Sequence, residues 1–207
     1  LYRSDYYRPE AQRVALTRVR DTAERAFVLS TPRLAADADL EIELPFADSA
    51  LDALFACRTQ PGDVNAIAEM LRLDGHGRGV LAELFTDNAV QLSERFSGDG
   101  VRVRYFGHAC VLIETREVSV LVDPLIAYPG TSSPSVPRYS FNNLPPHIDY
   151  ALITHNHQDH VMLETLLQLR HRIGTVVVPA SQQGSLLDPS LALTLRRLGF
   201  ARVAPLA

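Results

Sequence analysis

The apolar positions change period part-way along the chain. Between Pro9-Glu10 and Phe27, the spacing of Val14, Leu16, Val19, Ala23 and Phe27 predicts a helix. Residues 40–46 alternate as Leu-Glu-Ile-Glu-Leu, which predicts a strand stopped by Pro45. Asp63 is placed to cap a helix through Leu73, closed at Asp74-Gly75, and 79–85 predicts another short helix. After the turn residues Ser97-Gly98-Asp99-Gly100 the period drops to two. Residues 101–105 alternate as a half-buried strand, and 109–114 and 118–122 flank a turn at Arg116-Glu117; together they predict an antiparallel meander. A Pro- and Ser-rich loop over 127–146 is long enough to be functional or flexible. A buried strand (149–154), an amphipathic helix (159–172), a strand (175–178), a helix (189–198, ended by Gly199) and a strand (203–206) follow. The order is a meander followed by βαβαβ, an α/β pattern.

Charge divides the chain at the same turn. Residues 1–98 carry 16 acidic and 11 basic residues, a net of −5; residues 99–207 carry 8 and 9, a net of +1. Two units are therefore expected, 1–98 and 99–207. The first is mostly helical and has no cluster of ligand-type residues, so partner docking or dimer contact is its expected role.

Composition then narrows the function. No apolar run approaches the roughly 18–20 residues of a membrane helix. The net charge of −4 does not suit general nucleic-acid binding. All 20 basic residues are arginine, which excludes a Schiff-base lysine or a Walker phosphate loop within this stretch. Cys57 and Cys110 form no CxxC; two free thiols in a cytoplasmic protein is the default reading, one disulfide in an exported protein the alternative. The sequence opens at Leu1 without methionine or a signal-peptide pattern and stops just after a strand, so a piece of a longer protein is expected.

The chemistry concentrates in Thr154-His155-Asn156-His157-Gln158-Asp159-His160. Three histidines and one carboxylate fall within six residues, between a strand and a helix. Extended backbone repeats its side-chain direction every second residue, so His155 and His157 project together and can meet one borderline metal ion. Asp159 and His160 follow within a turn and can reach a second ion, at the roughly 3.5–4 Å spacing of dinuclear sites. His108 is read either as a loop histidine bonded to backbone or as a contributor to this site. His147 and His171 are expected at the surface, and Cys110 as a buried small hydrophobe.

This HxHxDH segment resembles the metal-binding motif of the metallo-β-lactamase superfamily. Tyr105-Phe106-Gly107-His108-Ala109-Cys110 resembles that family's early strand-turn-strand, and Val120-Leu121-Val122-Asp123-Pro124 its strand ending in aspartate. The resemblance implies an αββα sandwich, of which 99–207 would be the N-terminal half, preceded by the C-terminal part of an N-terminal α+β domain. It implies His155, His157, Asp159 and His160 as metal ligands, and Asp123 as a carboxylate orienting a bound histidine through its ring N–H. It further implies an apolar sheet face for the second half to cover.

A longer stretch, including Tyr-Ser-Phe-Asn-Asn-Leu-Pro-Pro from Tyr139 and Gly184-Ser185-Leu186-Leu187-Asp188-Pro189, is similar to the diiron β-hydroxylases of nonribosomal peptide pathways, chloramphenicol-pathway type. That narrower resemblance implies two iron ions and O2-dependent β-hydroxylation of an amino acid held as a thioester on a carrier domain. It also implies an electron donor and a cytoplasmic enzyme, compatible with a homodimer; the piece alone is expected to be inactive. The alternative is a hydrolase using two zinc ions on an ester, lactone or phosphoester. Iron and zinc are to be separated by a glutamate or histidine at a later ligand position.

Overall fold

The computed structural model describes residues 8–18, 39–88, 90, 92–126, 139–181 and 190–207. Residues 19–27 of the predicted first helix, most of the long loop (127–138) and residues 182–189 lie outside these residues.

The N-terminal unit opens differently from the helical spacing. A short 3-10 turn at Pro9–Ala11 leads into strand β1 (Arg13–Leu16), paired antiparallel with β2 (Leu40–Glu43). Val14 lies opposite Ile42, and Arg13 forms ion pairs with Glu41 and Glu43. Cross-strand pairing of this kind overrides a weak helical periodicity. Three helices follow: α1 (Ser49–Ala56), α2 (Val64–Met70) and α3 (Gly75–Glu83). Each begins at an aspartate (Asp48, Asp63 and Asp74) whose carboxylate accepts a free backbone N–H of the first turn. Asp74 thus opens α3 rather than closing α2, and α3 starts four residues before the expected position. Ile42, Leu44, Leu51, Ile67, Leu71 and Leu81 form the core of this unit.

The second unit is one six-stranded sheet in sequence order. Strands β3 (Arg102–Gly107), β4 (Cys110–Glu114) and β5 (Ser119–Val122) are antiparallel. Strands β6 (Ile148–Leu152), β7 (Ile173–Pro179) and β8 (Val203–Leu206) continue parallel to β5. Helix α4 (Leu163–Leu169) joins β6 to β7, and α5 (Leu191–Arg197) lies between β7 and β8. The predicted helix over 159–172 is shorter than expected. Its first residues form an isolated turn, with His160 and Val161 donating to the His157 carbonyl, and its last are a 3-10 turn, Arg170–Arg172.

The two faces of the sheet differ. Leu112, Leu121, Ala151, Val176 and Val203 form one row across five strands and are buried. The opposite row, Val103, Ile113, Val120, Tyr150 and Thr175, is more open: Val103 is 61% and Tyr150 44% exposed, while Val120 and Thr175 are half-buried.

β3 alternates as the half-buried strand expected, with arginines on its buried side. Val101, Val103 and Tyr105 face outward, while Arg104 and Phe106 face in. The reason is Glu114, which is buried and takes Arg102 and Arg104 in charge-assisted hydrogen bonds of 2.9–3.0 Å.

Candidate metal centre

Three elements end at one edge of the sheet. Antiparallel β3–β4–β5 and parallel β5–β6 place the C-terminal ends of β3, β5 and β6 at the same edge. His108 follows β3, Asp123 follows β5, and Thr154–His160 follows β6. The C-terminal edge of parallel strands is where open α/β sheets hold ligands.

Asp123 organises this edge. It is 2% exposed and sits at φ +40°, while its backbone N–H donates to the Leu152 carbonyl on β6. Its carboxylate accepts the Thr154 N–H at 2.8 Å, the Thr154 hydroxyl at 2.6 Å and His160 Nδ1 at 2.7 Å. Proton positions follow from this. The Thr154 hydroxyl spends its hydrogen on Asp123, so at 3.0 Å from His155 Nδ1 it accepts that ring's N–H. His160 likewise donates Nδ1–H to Asp123. Both rings therefore carry their lone pair on Nε2. His155 is oriented by the same carboxylate, through Thr154.

The motif side chains converge. His155 Nε2 lies 2.9 Å from His157 Nδ1, and His160 Nε2 lies 3.8 Å from Asp159 Oδ2. The His155 ring centroid is 3.9 Å from that of His160 and 4.5 Å from that of His157. Two neighbouring ligands on an octahedral ion, each at about 2.1 Å, lie roughly 3.0 Å apart. The imidazole pair matches that spacing, and neutral nitrogens with one carboxylate suit a borderline divalent metal. Asp159 has its pKa lowered: burial pushes it up, but its backbone hydrogen bond and the neighbouring His160 and His108 outweigh this.

The structure thus brings His155, His157, Asp159, His160 and Asp123 to one edge. It adds His108, whose Nε2 is 2.9 Å from Asp159 Oδ2; His108, Asp159 and His160 have the proximity of a three-ligand metal site. Sequence reasoning left His108 open between backbone and site, and it engages both. The available signal was Gly107-His108 at a hairpin tip. His147 is exposed as expected. His171 is half-buried rather than fully at the surface: both ring nitrogens are buried and have no hydrogen-bond partner among the described residues. Cys110 is fully buried, its thiol pushed up to about 12 by burial, and both cysteines are free.

Comparison with known proteins agrees with this architecture. Residues 1–89 match the diiron non-heme β-hydroxylase N-terminal domain, and residues 102–204 match the β-lactamase superfamily domain. Together the two matches span most of the chain, which is similar in its domain order to the diiron β-hydroxylases of the metallo-β-lactamase superfamily.

It is 40% identical over 207 residues to the 4-amino-L-phenylalanyl-[CmlP-peptidyl-carrier-protein] 3-hydroxylase of Streptomyces venezuelae, covering 98% of this chain and 39% of that protein. The crystal structure of CmlA, a diiron β-hydroxylase from Streptomyces venezuelae, superposes with a TM-score of 0.81 at 37% identity, over 98% of this chain and 37% of that one. A metal-dependent hydrolase of Pyrobaculum arsenaticum is 41% identical over 61 residues, 30% of this chain and 25% of its own. The chain therefore spans well under half the length of the hydroxylases it matches. No helix among the described residues is long and apolar enough to cross a membrane.

Proposed function

We propose that this chain supplies the first ligands of a dinuclear iron centre in an O2-dependent β-hydroxylase, acting on an amino acid tethered to a carrier protein. His155 and His157 hold one iron; Asp159 and His160 hold the other. The observation that carries the reading is the shared orientation of His155 and His160 by Asp123, which turns two lone pairs to the edge where His157 and Asp159 also point. The family resemblance at both units and the relative's carrier-bound substrate support the choice of hydroxylation over hydrolysis.

When bound, the irons supply the redox chemistry that O2 activation requires. The protein's part is to hold neutral nitrogens and a carboxylate in fixed directions. Asp123 keeps the Nδ1 proton on His160 and, through Thr154, on His155, so that each ring offers Nε2. The buried Leu112–Leu121–Ala151 row makes the edge rigid beneath them. An electron donor, and a homodimer built through the N-terminal unit, complete the proposal.

The test is turnover by the full-length protein, expressed with iron, on an aminoacyl thioester loaded on a carrier domain. The expected result is O2 consumption matched by a product heavier by one oxygen. Zinc-supported ester or lactone cleavage without O2 uptake would overturn the reading in favour of a hydrolase.

A further inference from the structure

Among the described residues, three non-glycine residues have positive φ: Arg72, His108 and Asp123. Two of them sit at the candidate metal centre, where backbone outliers point to a functional constraint. His108 forms the tip of the β3–β4 hairpin at φ +52°, just after Gly107 at φ +115°. A Cβ at Gly107 would meet nothing within 4 Å, so glycine is there for its backbone freedom, not for space. The tip turns the imidazole over the motif loop, edge-on to the His160 ring at 5.2 Å.

The direction of its proton is fixed locally. The Ala109 backbone N–H can only donate, and it points at His108 Nδ1 at 2.7 Å. Nδ1 therefore carries the lone pair, and in the neutral ring Nε2 carries the hydrogen. That Nε2–H faces Asp159 Oδ2 at 2.9 Å. A nitrogen that donates its hydrogen to a carboxylate has no lone pair for a metal. Proximity alone would make His108 a third ligand beside Asp159 and His160; the tautomer makes it a donor.

We infer that His108 is a positioning residue, which fixes the Asp159 carboxylate by donating Nε2–H and does not itself bind metal. Asp159 accepts at Oδ2 and keeps its remaining lone pairs for the ion. The hairpin of β3–β4 thereby helps set the geometry of a ligand about fifty residues later in the sequence. This rests on the proposed role of Asp159 as a ligand.

The experiment uses full-length protein, stripped of metal and titrated with Fe(II) without oxygen, against a competing chelator. Wild type, His108→Ala, His108→Gln and Asp159→Ala are compared, with imidazoles per iron counted by X-ray absorption. The expected result is that His108→Ala weakens the second iron on the order of 10–100-fold, leaves the first unchanged and keeps the wild-type imidazole count. His108→Gln, whose amide can donate from nearly the same place, restores affinity to within a few-fold. Wild-type affinity in His108→Ala, no rescue by glutamine, or an imidazole count one lower would each overturn the inference. Asp159→Ala serves as a separate control. If it keeps two tightly bound irons, the ligand assignment of Asp159 fails; if it loses one while His108→Ala does not, only the role of His108 fails.

Discussion

Asp123 satisfies three donors with one buried carboxylate, and two of them lead to histidines. Asp123→Ala removes the acceptor without removing a proposed ligand. Metal affinity in the full-length protein should fall on the order of 10–100-fold, less than the loss from removing His157 or Asp159. Competition titration of the three variants gives the ranking; equal loss in Asp123→Ala and His157→Ala, with folding intact, would make Asp123 a direct ligand. The HxHxDH residues and Asp123 were legible because their chemistry is local: residue type, period-two spacing and a strand end. His108 was not, since its contact with Asp159 depends on how a hairpin folds over a distant loop. His171 is more buried than its polar side chain suggested: its 3-10 turn packs against α1, and burial lowers its pKa, with repulsion from Arg172 adding to the effect. Its ordinary value is 6.5, so below that pH the unfolded chain takes the proton first and stability falls until the folded group also titrates. Chemical denaturation of the full-length protein from about pH 7 to about pH 5.5 should show this decline. His171→Phe should flatten part of it, and an unchanged slope would contradict the assignment.

At the scale of elements, the β3–β4 pair shows why alternation alone does not choose a face. The Val-Arg-Val-Arg-Tyr pattern of residues 101–105 predicts a half-buried strand but does not say which set is buried. Glu114 decides it, because a buried carboxylate must be matched by charge, and Arg104 meets it at 2.9 Å on the inner face. Arg104 also donates to the Ser93 hydroxyl and the Asn143 carbonyl, tying the segment before β3 to the one before β6. Glu114→Ala strands a buried guanidinium and should cost about 3–5 kcal/mol in chemical denaturation. A cost below about 1 kcal/mol would mean that solvent reaches Arg104 and that the pair is only a surface feature. Helix starts were more legible than helix ends. The caps Asp63 and Asp74 are visible in sequence, but what Asp74 caps was not, since Arg72 at φ +59° ends α2 first.

At the scale of the molecule, the two units are joined through Arg170, whose guanidinium reaches back from the end of α4 to Asp52 at 2.9 Å and to the Phe46, Asp48 and Leu198 carbonyls. Gly199 makes room for it: a Cβ there would lie 2.7 Å from Arg170 Nη1 and 3.0 Å from Ala47 Cα. No sequence pattern announces a contact of this kind between residues over a hundred positions apart. Arg170→Ala leaves buried carbonyls without a donor and should cost about 3 kcal/mol or more, with Arg170→Lys recovering little because one ammonium cannot replace a planar fork. Full recovery in the lysine variant would show that charge alone joins the units.

The junction lies on the helical side of the sheet, away from the edge that gathers His155, His157, Asp159 and His160. Whether that edge holds two ions is the centre of the account, and metal content measures it directly. Elemental analysis of the iron-loaded full-length protein should give about two irons per chain, as a dinuclear site requires, and Asp159→Ala should retain about one, held by His155 and His157. One iron in the wild type, or two in Asp159→Ala, would contradict it.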